Sequence, residues 1–283
     1  MAKKEGVRFG PAGIPIQCEG RSTLDGVRCC YELGLKAMEM EFVQGVRLNK
    51  NAAAEVGKVA EQLDISLSSH APYFINFCSK EETKIKNSIR NLVEAAVATA
   101  SAKGSITVFH PGFYQGQGKE EAYQRAKKNI MAAYEKVKEA GAEKVILGAE
   151  TVGKKSAFGG FEEVVRLASE LEYVQPVLDF AHMHARRDFI IKGVDDYRKI
   201  FEILEKKLGD YVHHFHSHFS EIRYSEKGEL SHLPLGTNNE PPIEPLLKVI
   251  VENGYSGTII CETPQLDIDA QKMQKIYSRM VKK

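Results

Sequence analysis

Short apolar runs alternate along this chain with segments in which apolar residues recur every three or four positions. The apolar runs have the length and the flanking turn residues of buried β-strands. They occupy residues 7–13, 37–43, 65–73, 105–112, 145–151, 174–182, 211–220 and 257–264. The segments between them predict helices at residues 24–33, 52–63, 85–100, 122–137, 161–171, 201–208 and 243–253, and in the tail from Ala270.

Eight strand–helix units in 283 residues predict an α/β fold, a (β/α)8 TIM barrel, an architecture that typically takes about 250 residues. A doubly wound open sheet is the structural alternative, but no GxGxxG motif follows the first predicted strand. No Pro- or Ser-rich linker and no low-complexity tract interrupts the pattern. We therefore expect a single domain over residues 1–283.

The charges of the chain nearly balance, since 39 Lys and Arg oppose 38 Asp and Glu for a net charge of +1. A net charge this small creates no long-range electrostatic attraction to nucleic acid or to a membrane, although a local basic patch is compatible with it. The five cysteines form no CxxC pair, so we expect a reducing, cytoplasmic location. No stretch approaches 18 apolar residues and no long apolar run opens the chain, so neither a membrane helix nor a signal peptide is expected.

Four of the nine histidines lie within residues 211–220, YVHHFHSHFS. As a strand, this segment places His214, His216 and His218 on one face. Several imidazoles on one face of a buried strand cost free energy unless something binds them, and neutral imidazole is a common metal ligand. A polar edge strand is the alternative, but residues of the same kind recur at matching places elsewhere in the chain.

The third to the eighth predicted strands each end in a carboxylate or an imidazole. The residues are His70, His110, Glu150, Asp179 with His182, His216 with His218, and Glu262. In a (β/α)8 barrel these strand ends meet at one face, where the active sites of such enzymes lie. The mixture of histidine and carboxylate favours Zn²⁺, Mn²⁺ or Fe²⁺ over Mg²⁺ or Ca²⁺. Because the set exceeds the needs of one tetrahedral ion, we expect a carboxylate that bridges two ions.

The motifs around these residues resemble those of endonuclease IV, a metal-dependent apurinic/apyrimidinic endonuclease of the xylose-isomerase-like TIM-barrel superfamily. The resemblance covers most of residues 37–264 and rests on SSHAPYFIN, VFHPG, ETVG followed by Gly159, DFAH, the histidine strand and CETP. It implies that His70 and His110 hold one zinc ion, which Glu150, as the catalytic carboxylate, bridges to a second. By the same resemblance, the second ion is held also by Asp179, His216 and Glu262, and a third by His182 and His232.

The resemblance also implies a substrate and a partner. Damaged double-stranded DNA would be cleaved at the phosphodiester 5′ to an abasic site, in base excision repair. Tyr73 and Phe74 match the loop that probes the duplex, with ordinary loop packing as the alternative, and Arg47 in FVQGVR matches the residue inserted into the base stack. We expect two Zn²⁺ ions, with Mn²⁺ as the alternative metal, no membrane, no obligate protein partner and a monomer.

Two departures from the family pattern affect the expected ligands. Endonuclease IV completes its third zinc site with a D-x-H motif, whereas this chain has KGELSHLPLG, with His232 in place and Leu230 near the aspartate position. Glu229 would have to substitute from a shifted register, so the third ion stays open. In addition, His216 and His218 compete for the position on the seventh strand, and the spacing favours His216.

Sugar isomerases and epimerases of the same superfamily are the main functional alternative. They use one Mn²⁺-type ion held by Glu, Asp, His and Glu, which the fifth to eighth strands of this chain would equally supply, and their two glutamates move a proton at carbon. Such an enzyme would not require His70 or His110. The near-neutral charge favours this alternative, although the basic residues at 154–155 and 186–187 offer a local basic rim. A catalytically silent metal-binding barrel that docks a partner is a third hypothesis.

Overall fold

The computed structural model describes residues 6–282, which form a ring of eight parallel β-strands surrounded by helices. The ring strands are β1 (Val7–Pro11), β2 (Ala37–Glu41), β3 (Ser66–His70), β4 (Ile106–Phe109), β6 (Ile146–Glu150), β8 (Val174–Asp179), β9 (Phe215–Phe219) and β12 (Gly257–Cys261). Shorter strands lie outside the ring: β5 (Gly112–Phe113), β7 (Ala157–Phe158), β10 (Glu221–Ser225) and β11 (Gly228–Leu233).

Helices connect successive ring strands and cover the outside of the ring. They are α1 (Thr23–Glu32), α2 (Lys50–Leu63), α3 (Glu82–Ser101), α4 (Lys119–Glu139), α5 (Phe161–Glu170), α6 (Phe180–Arg186), α7 (Val194–Leu208), α8 (Ile243–Asn253) and α9 (Leu266–Val281). In α4, for example, Ala126, Ile130, Ala133 and Val137 are buried on one face. This is the three-to-four-residue period from which the helices were predicted.

Backbone contacts between β1 and β2 close the ring. The Lys36 amide donates to the Phe9 carbonyl at 3.0 Å, and the Gly13 amide donates to the Glu39 carbonyl at 2.9 Å. The strands approach so closely that a Cβ on Gly10 would lie 2.0 Å from the carbonyl oxygen of Ala37, so only glycine fits there. The predicted (β/α)8 barrel is therefore confirmed.

The interior of the ring is divided between apolar and polar side chains. Ile106, Val108 and Val177 form a small buried cluster of their own, with Ile146 packed against it. Toward the carboxyl ends of the same strands, the inward positions are polar, as at Glu150 and Asp179. The barrel therefore has an apolar plug below a polar mouth, and the mouth is the end that active sites occupy in this fold.

Several elements differ from the sequence-based prediction. The sixth predicted strand, residues 174–182, ends at Asp179, and α6 begins directly after it. The histidine strand begins at Phe215, because residues 209–213 form a 3-10 turn. The pairs β5–β7 and β10–β11 were not predicted, and both lie at the mouth side of the barrel. No helix within residues 6–282 is long and apolar enough to cross a membrane.

Candidate metal centre

Glu150 is the central carboxylate at the barrel mouth. It ends β6, is completely buried, and faces imidazoles with both oxygens. Its Oε2 lies 3.0 Å from His70 Nε2 and 2.9 Å from His110 Nε2. Its Oε1 lies 3.2 Å from His218 Nδ1 and 3.4 Å from His182 Nδ1. Each carboxylate oxygen therefore faces a different group of histidines, which is the arrangement a bridging carboxylate needs.

One candidate ligand group consists of Glu150, Asp179, His218 and Glu262, whose ligand atoms all lie within 4.8 Å of one another. His218 Nδ1 is 3.1 Å from Glu262 Oε1. Asp179 Oδ2 is buried, and no hydrogen-bond partner is found for it within the described part of the chain. Such an orphaned acceptor is costly in a protein interior unless it meets a cation.

His218 holds the position in this group for which the spacing had favoured His216. Both side chains point into the barrel, because they are two residues apart on β9, but His216 lies deeper. Its Nε2 is 3.1 Å from Glu39 Oε2 instead of facing Glu150. The preference for His216 beside Glu150, Asp179 and Glu262 is therefore corrected to His218.

A bulge in β11 places Glu229 and His232 on the same side of the strand. Arg223 pairs with Ser231, but its neighbour Tyr224 pairs with Glu229, so Leu230 is skipped in the ladder. Glu229 Oε2 then lies 3.4 Å from His182 Nε2, while Leu230 is 60% exposed. This is the shifted register that a ligand role for Glu229 would require.

Three of the histidines at the mouth are each held in one orientation by a backbone carbonyl. The Nδ1 atoms of His70, His182 and His232 lie 2.7, 2.9 and 3.2 Å from the carbonyl oxygens of Ala71, Thr151 and Glu262. A carbonyl accepts only from an N–H, so Nδ1 carries the hydrogen in each ring. The Nε2 atoms then face the site: those of His182 and His232 are 3.2 Å apart. Imidazoles that ligate metals in proteins are commonly held in this orientation.

The electrostatics of the mouth fit bound cations. Within residues 6–282, the ion-pair partners of Glu150, Asp179, Glu229 and Glu262 are all histidines, with no lysine or arginine among them. Burial raises the pKa of Asp179 to about 7. Burial also opposes the ionised form of Glu150, but the charges of His110 and His218 hold its pKa well below the ordinary value. Divalent cations would neutralise these buried carboxylates.

Two further carboxylates on β2 were missed by the sequence analysis. Glu39 is completely buried and accepts a hydrogen bond from Ser68 Oγ at 2.7 Å. Glu41 ends β2, its Oε1 is buried without a hydrogen-bond partner among the described residues, and burial raises its pKa to about 8. The signal was present, because AMEME alternates and places both glutamates on one face of a strand.

Over residues 27–279, the chain matches the family described as "Xylose isomerase-like TIM barrel". The chain belongs to this family. It is 38% identical, over 96% of this chain and 97% of the other, to an uncharacterized protein of Methanocaldococcus jannaschii. The two sequences therefore align over nearly their full lengths.

Solved structures with the same fold include both functional classes considered above. Endonuclease IV from Thermus thermophilus is 18% identical with a TM-score of 0.66, over 99% of each chain. A D-tagatose 3-epimerase-like protein is 17% identical with a TM-score of 0.71, over 98% of each chain. D-psicose 3-epimerase from Clostridium cellulolyticum is 15% identical with a TM-score of 0.67, over 96% of this chain and 99% of the other. At these identities the likeness shows the fold alone.

The residues expected to contact DNA lie on the surface around the mouth. Tyr73 and Phe74 are exposed, and the Tyr73 ring is 5.2 Å from the His70 ring and 5.6 Å from the His110 ring. Arg47 lines a cavity of about 460 Å³ together with Arg21 and the site carboxylate Glu41. No ion pair is found for either arginine in the described residues.

The expected basic rim is only partly present. Lys154, Lys155 and Arg187 are exposed. Arg186 is buried instead, and its guanidinium donates to backbone carbonyls, including that of Ala157 at 2.9 Å. Arg186 therefore holds the loop between β6 and α5 and is not part of a surface rim.

Proposed function

We propose that this protein is a metal-dependent phosphodiester hydrolase that cuts damaged double-stranded DNA 5′ to abasic sites. The observation that carries the proposal is the position of Glu150 between two ligand groups. One group adds His70 and His110 to it, and the other adds Asp179, His218 and Glu262. A single-ion isomerase leaves the first group without a function, whereas a hydrolase that uses adjacent ions needs both.

The residues at the mouth can hold two or three ions. His70, His110 and Glu150 would hold the first, and Glu150 would share the second with Asp179, His218 and Glu262. His182 and His232 would hold the third together with Glu229, and ligand atoms of Asp179 and Glu262 also lie within 4.8 Å of those two rings. We propose Zn²⁺, with Mn²⁺ as the alternative, because the donors mix imidazole with carboxylate. Such ions would activate a water molecule and offset negative charge on the phosphate.

The chain's own residues would orient these ions and shape access to them. Glu150 fixes the distance between the two groups, because its two oxygens point in different directions. Thr151 and Ala71 carbonyls fix the rings of His182 and His70. Tyr73 packs beside His70 and His110, so its ring forms one wall of the opening. An abasic nucleotide turned out of the duplex would enter beside this wall.

The surface around the mouth offers contacts suited to damaged DNA. An abasic nucleotide costs less stacking energy to turn out of the duplex than a normal one. The exposed rings of Tyr73 and Phe74 are placed to stack on neighbouring bases. Arg47 and Arg21, on one cavity beside the mouth, are placed to meet backbone phosphates.

Sugar epimerisation is the second candidate function. Glu150, Asp179, His218 and Glu262 form a complete single-ion ligand set by themselves. Glu150 and Glu262 both face His218 Nδ1, at 3.2 and 3.1 Å, and two such carboxylates can exchange a proton with a carbon next to a carbonyl. Glu41 adds an unpaired carboxyl group suited to a sugar hydroxyl, with no hydrogen-bond partner for its Oε1 among residues 6–282.

An incision assay on a duplex with one abasic site, run beside a ketohexose epimerisation assay, separates the two functions. We expect incision with a 3′-hydroxyl product, and a loss of at least about a hundredfold in His70→Asn, since that ring faces Glu150. His213→Asn, on an exposed histidine outside the mouth, is the matched control. Epimerisation without incision, insensitive to His70→Asn, would support the second candidate instead.

A further inference from the structure

Glu39 lies one layer below the candidate metal centre and joins β2 to β9 across the interior of the barrel. Its strand β2 is separated from β9 by β1 and β12, yet its side chain reaches the histidines of β9. Its Oε2 accepts from Ser68 Oγ at 2.7 Å and lies 3.1 Å from His216 Nε2. Its Oε1 lies 3.0 Å from His218 Nε2.

Glu39 Oε1 and His218 Nε2 are both buried, and no hydrogen bond of regular geometry is found for either atom within the described residues. A buried carboxylate oxygen and a buried ring nitrogen are each costly alone. The two atoms lie 3.0 Å apart, and this ion-pair contact offsets part of the cost for both groups.

His218 is turned the opposite way from three other histidines at the mouth. His70, His182 and His232 present Nε2 to the site, and the Nδ1 atom of each lies against a backbone carbonyl. His218 presents Nδ1, which lies 3.2 Å from Glu150 and 3.1 Å from Glu262, so its Nε2 points down into the barrel. The group found at that nitrogen is the carboxylate of Glu39, in the place where those three rings have a carbonyl.

We propose that Glu39 is a positioning residue for the metal centre, and this inference rests on the ion-binding part of the proposed function. By keeping the hydrogen of His218 on Nε2, Glu39 leaves the lone pair of Nδ1 directed at the space between Glu150 and Glu262. Ser68 and His216 hold Glu39 itself in place. Glu39, His216 and His218 could also hold an ion among themselves, but Oε2 already serves Ser68 and His216, so we assign Glu39 to act through His218.

The test is a zinc titration of the metal-free protein against a chelator of known affinity, comparing Glu39→Leu with wild type. We expect the affinity for one ion to fall about 10- to 100-fold, while the number of ions bound at saturation stays the same. The cobalt-loaded variant should also show an altered visible absorption spectrum. Glu55→Leu, which removes an exposed carboxylate on α2 outside the mouth, is the control.

The outcomes separate positioning from the alternatives. Wild-type affinity and an unchanged cobalt spectrum in Glu39→Leu would overturn the proposal. Loss of one whole ion at saturation would also overturn it, since Glu39 would then be a ligand. If Glu39→Leu fails to fold, Glu39→Gln, which keeps one acceptor oxygen, should show an intermediate loss. The titration contains no DNA, so a failure to incise DNA leaves this inference intact.

Discussion

Glu150 contacts imidazoles that come from β3, the loop after β4, β9 and α6. A buried carboxylate surrounded in this way is stable only with compensating positive charge, from protonated rings or from cations. Its two oxygens divide the rings into two groups, so its removal affects both at once. Glu150 is therefore the residue whose substitution reports most directly on the proposed chemistry.

Glu150→Gln should reduce incision of abasic DNA by at least about a hundredfold, because a bridging anion is replaced by a neutral amide. Binding of the duplex should persist, since the surface of the mouth is unchanged. Single-turnover incision and an equilibrium binding assay measure the two effects. Glu143→Gln, on an exposed residue before β6, is the control. A near wild-type rate with the ions retained would contradict the bridging function of Glu150.

Residue by residue, the sequence predicted which side chains meet at the mouth but not their heights in the barrel. His70, His110, Glu150, Asp179 and Glu262 sit at or directly after strand ends, where the topology alone brings them together. His216 and His218 share one face of β9 and lie about 7 Å apart along the strand. The two-residue period of a strand alone cannot tell which of them reaches the mouth. The depth of each strand in the barrel decides it, and depth depends on register across the whole ring.

At the scale of elements, Asp179 explains why β8 stops before His182. The Oδ1 of Asp179 accepts from the His182 amide at 2.7 Å, which makes Asp179 the N-cap of α6. The DFAH motif is therefore a strand end joined to a helix start, and an aspartate N-cap is a signal that the sequence contained. The bulge in β11 is different, since no local pattern in GELSHL predicts that Leu230 is skipped.

The β10–β11 hairpin supports a prediction about the third ion. Glu229→Ala should lower by one the number of ions retained after dialysis, because Glu229 Oε2 lies 3.4 Å from His182 Nε2. Leu230→Asp, which places an aspartate near the position it has in the D-x-H motif of endonuclease IV, should not compensate in the double variant, since that side chain points outward. Elemental analysis measures both. Equal ion content in Glu229→Ala and wild type would remove Glu229 from the ligand set.

At the scale of the whole molecule, the fold followed from the count and spacing of apolar runs, but the closure of the ring did not. Eight strands separated by helices can form an open sheet or a barrel, and the sequence excluded the open sheet only by a missing motif. What completes the ring is the pairing of its first strand, β1, with its last, β12, together with the close contact of Gly10 with Ala37. In the closed ring the inward face of β2 lines the interior, which is why Glu39 and Glu41 join the site.

The pKa shifts at the mouth work in two directions. Burial lowers the pKa of His70, but the hydrogen bond to Glu150 and its charge outweigh burial and raise the pKa from 6.5 to about 10. Burial raises the pKa of Asp179 from 3.8 to about 7. A group whose pKa is raised on folding stabilises the fold at low pH. That contribution is lost as the pH rises through the pKa that the group has in the folded protein. Glu150 has a lowered pKa, so its contribution is lost as pH falls below about 4.5.

The metal-free protein should therefore be most stable in mildly acidic solution and lose stability as pH rises from about 6.5 to 10. Bound ions replace the protons on the histidines, so zinc should raise the Tm most at alkaline pH and flatten its pH dependence. Thermal unfolding from pH 5 to 10, with zinc and with a chelator, measures both curves. In the metal-free protein, His70→Asn should make the fall of Tm at alkaline pH less steep, because it removes one of the titrating rings. A metal-free Tm that stays constant or rises between pH 6.5 and 10 would show that these histidines are not charged in the folded protein.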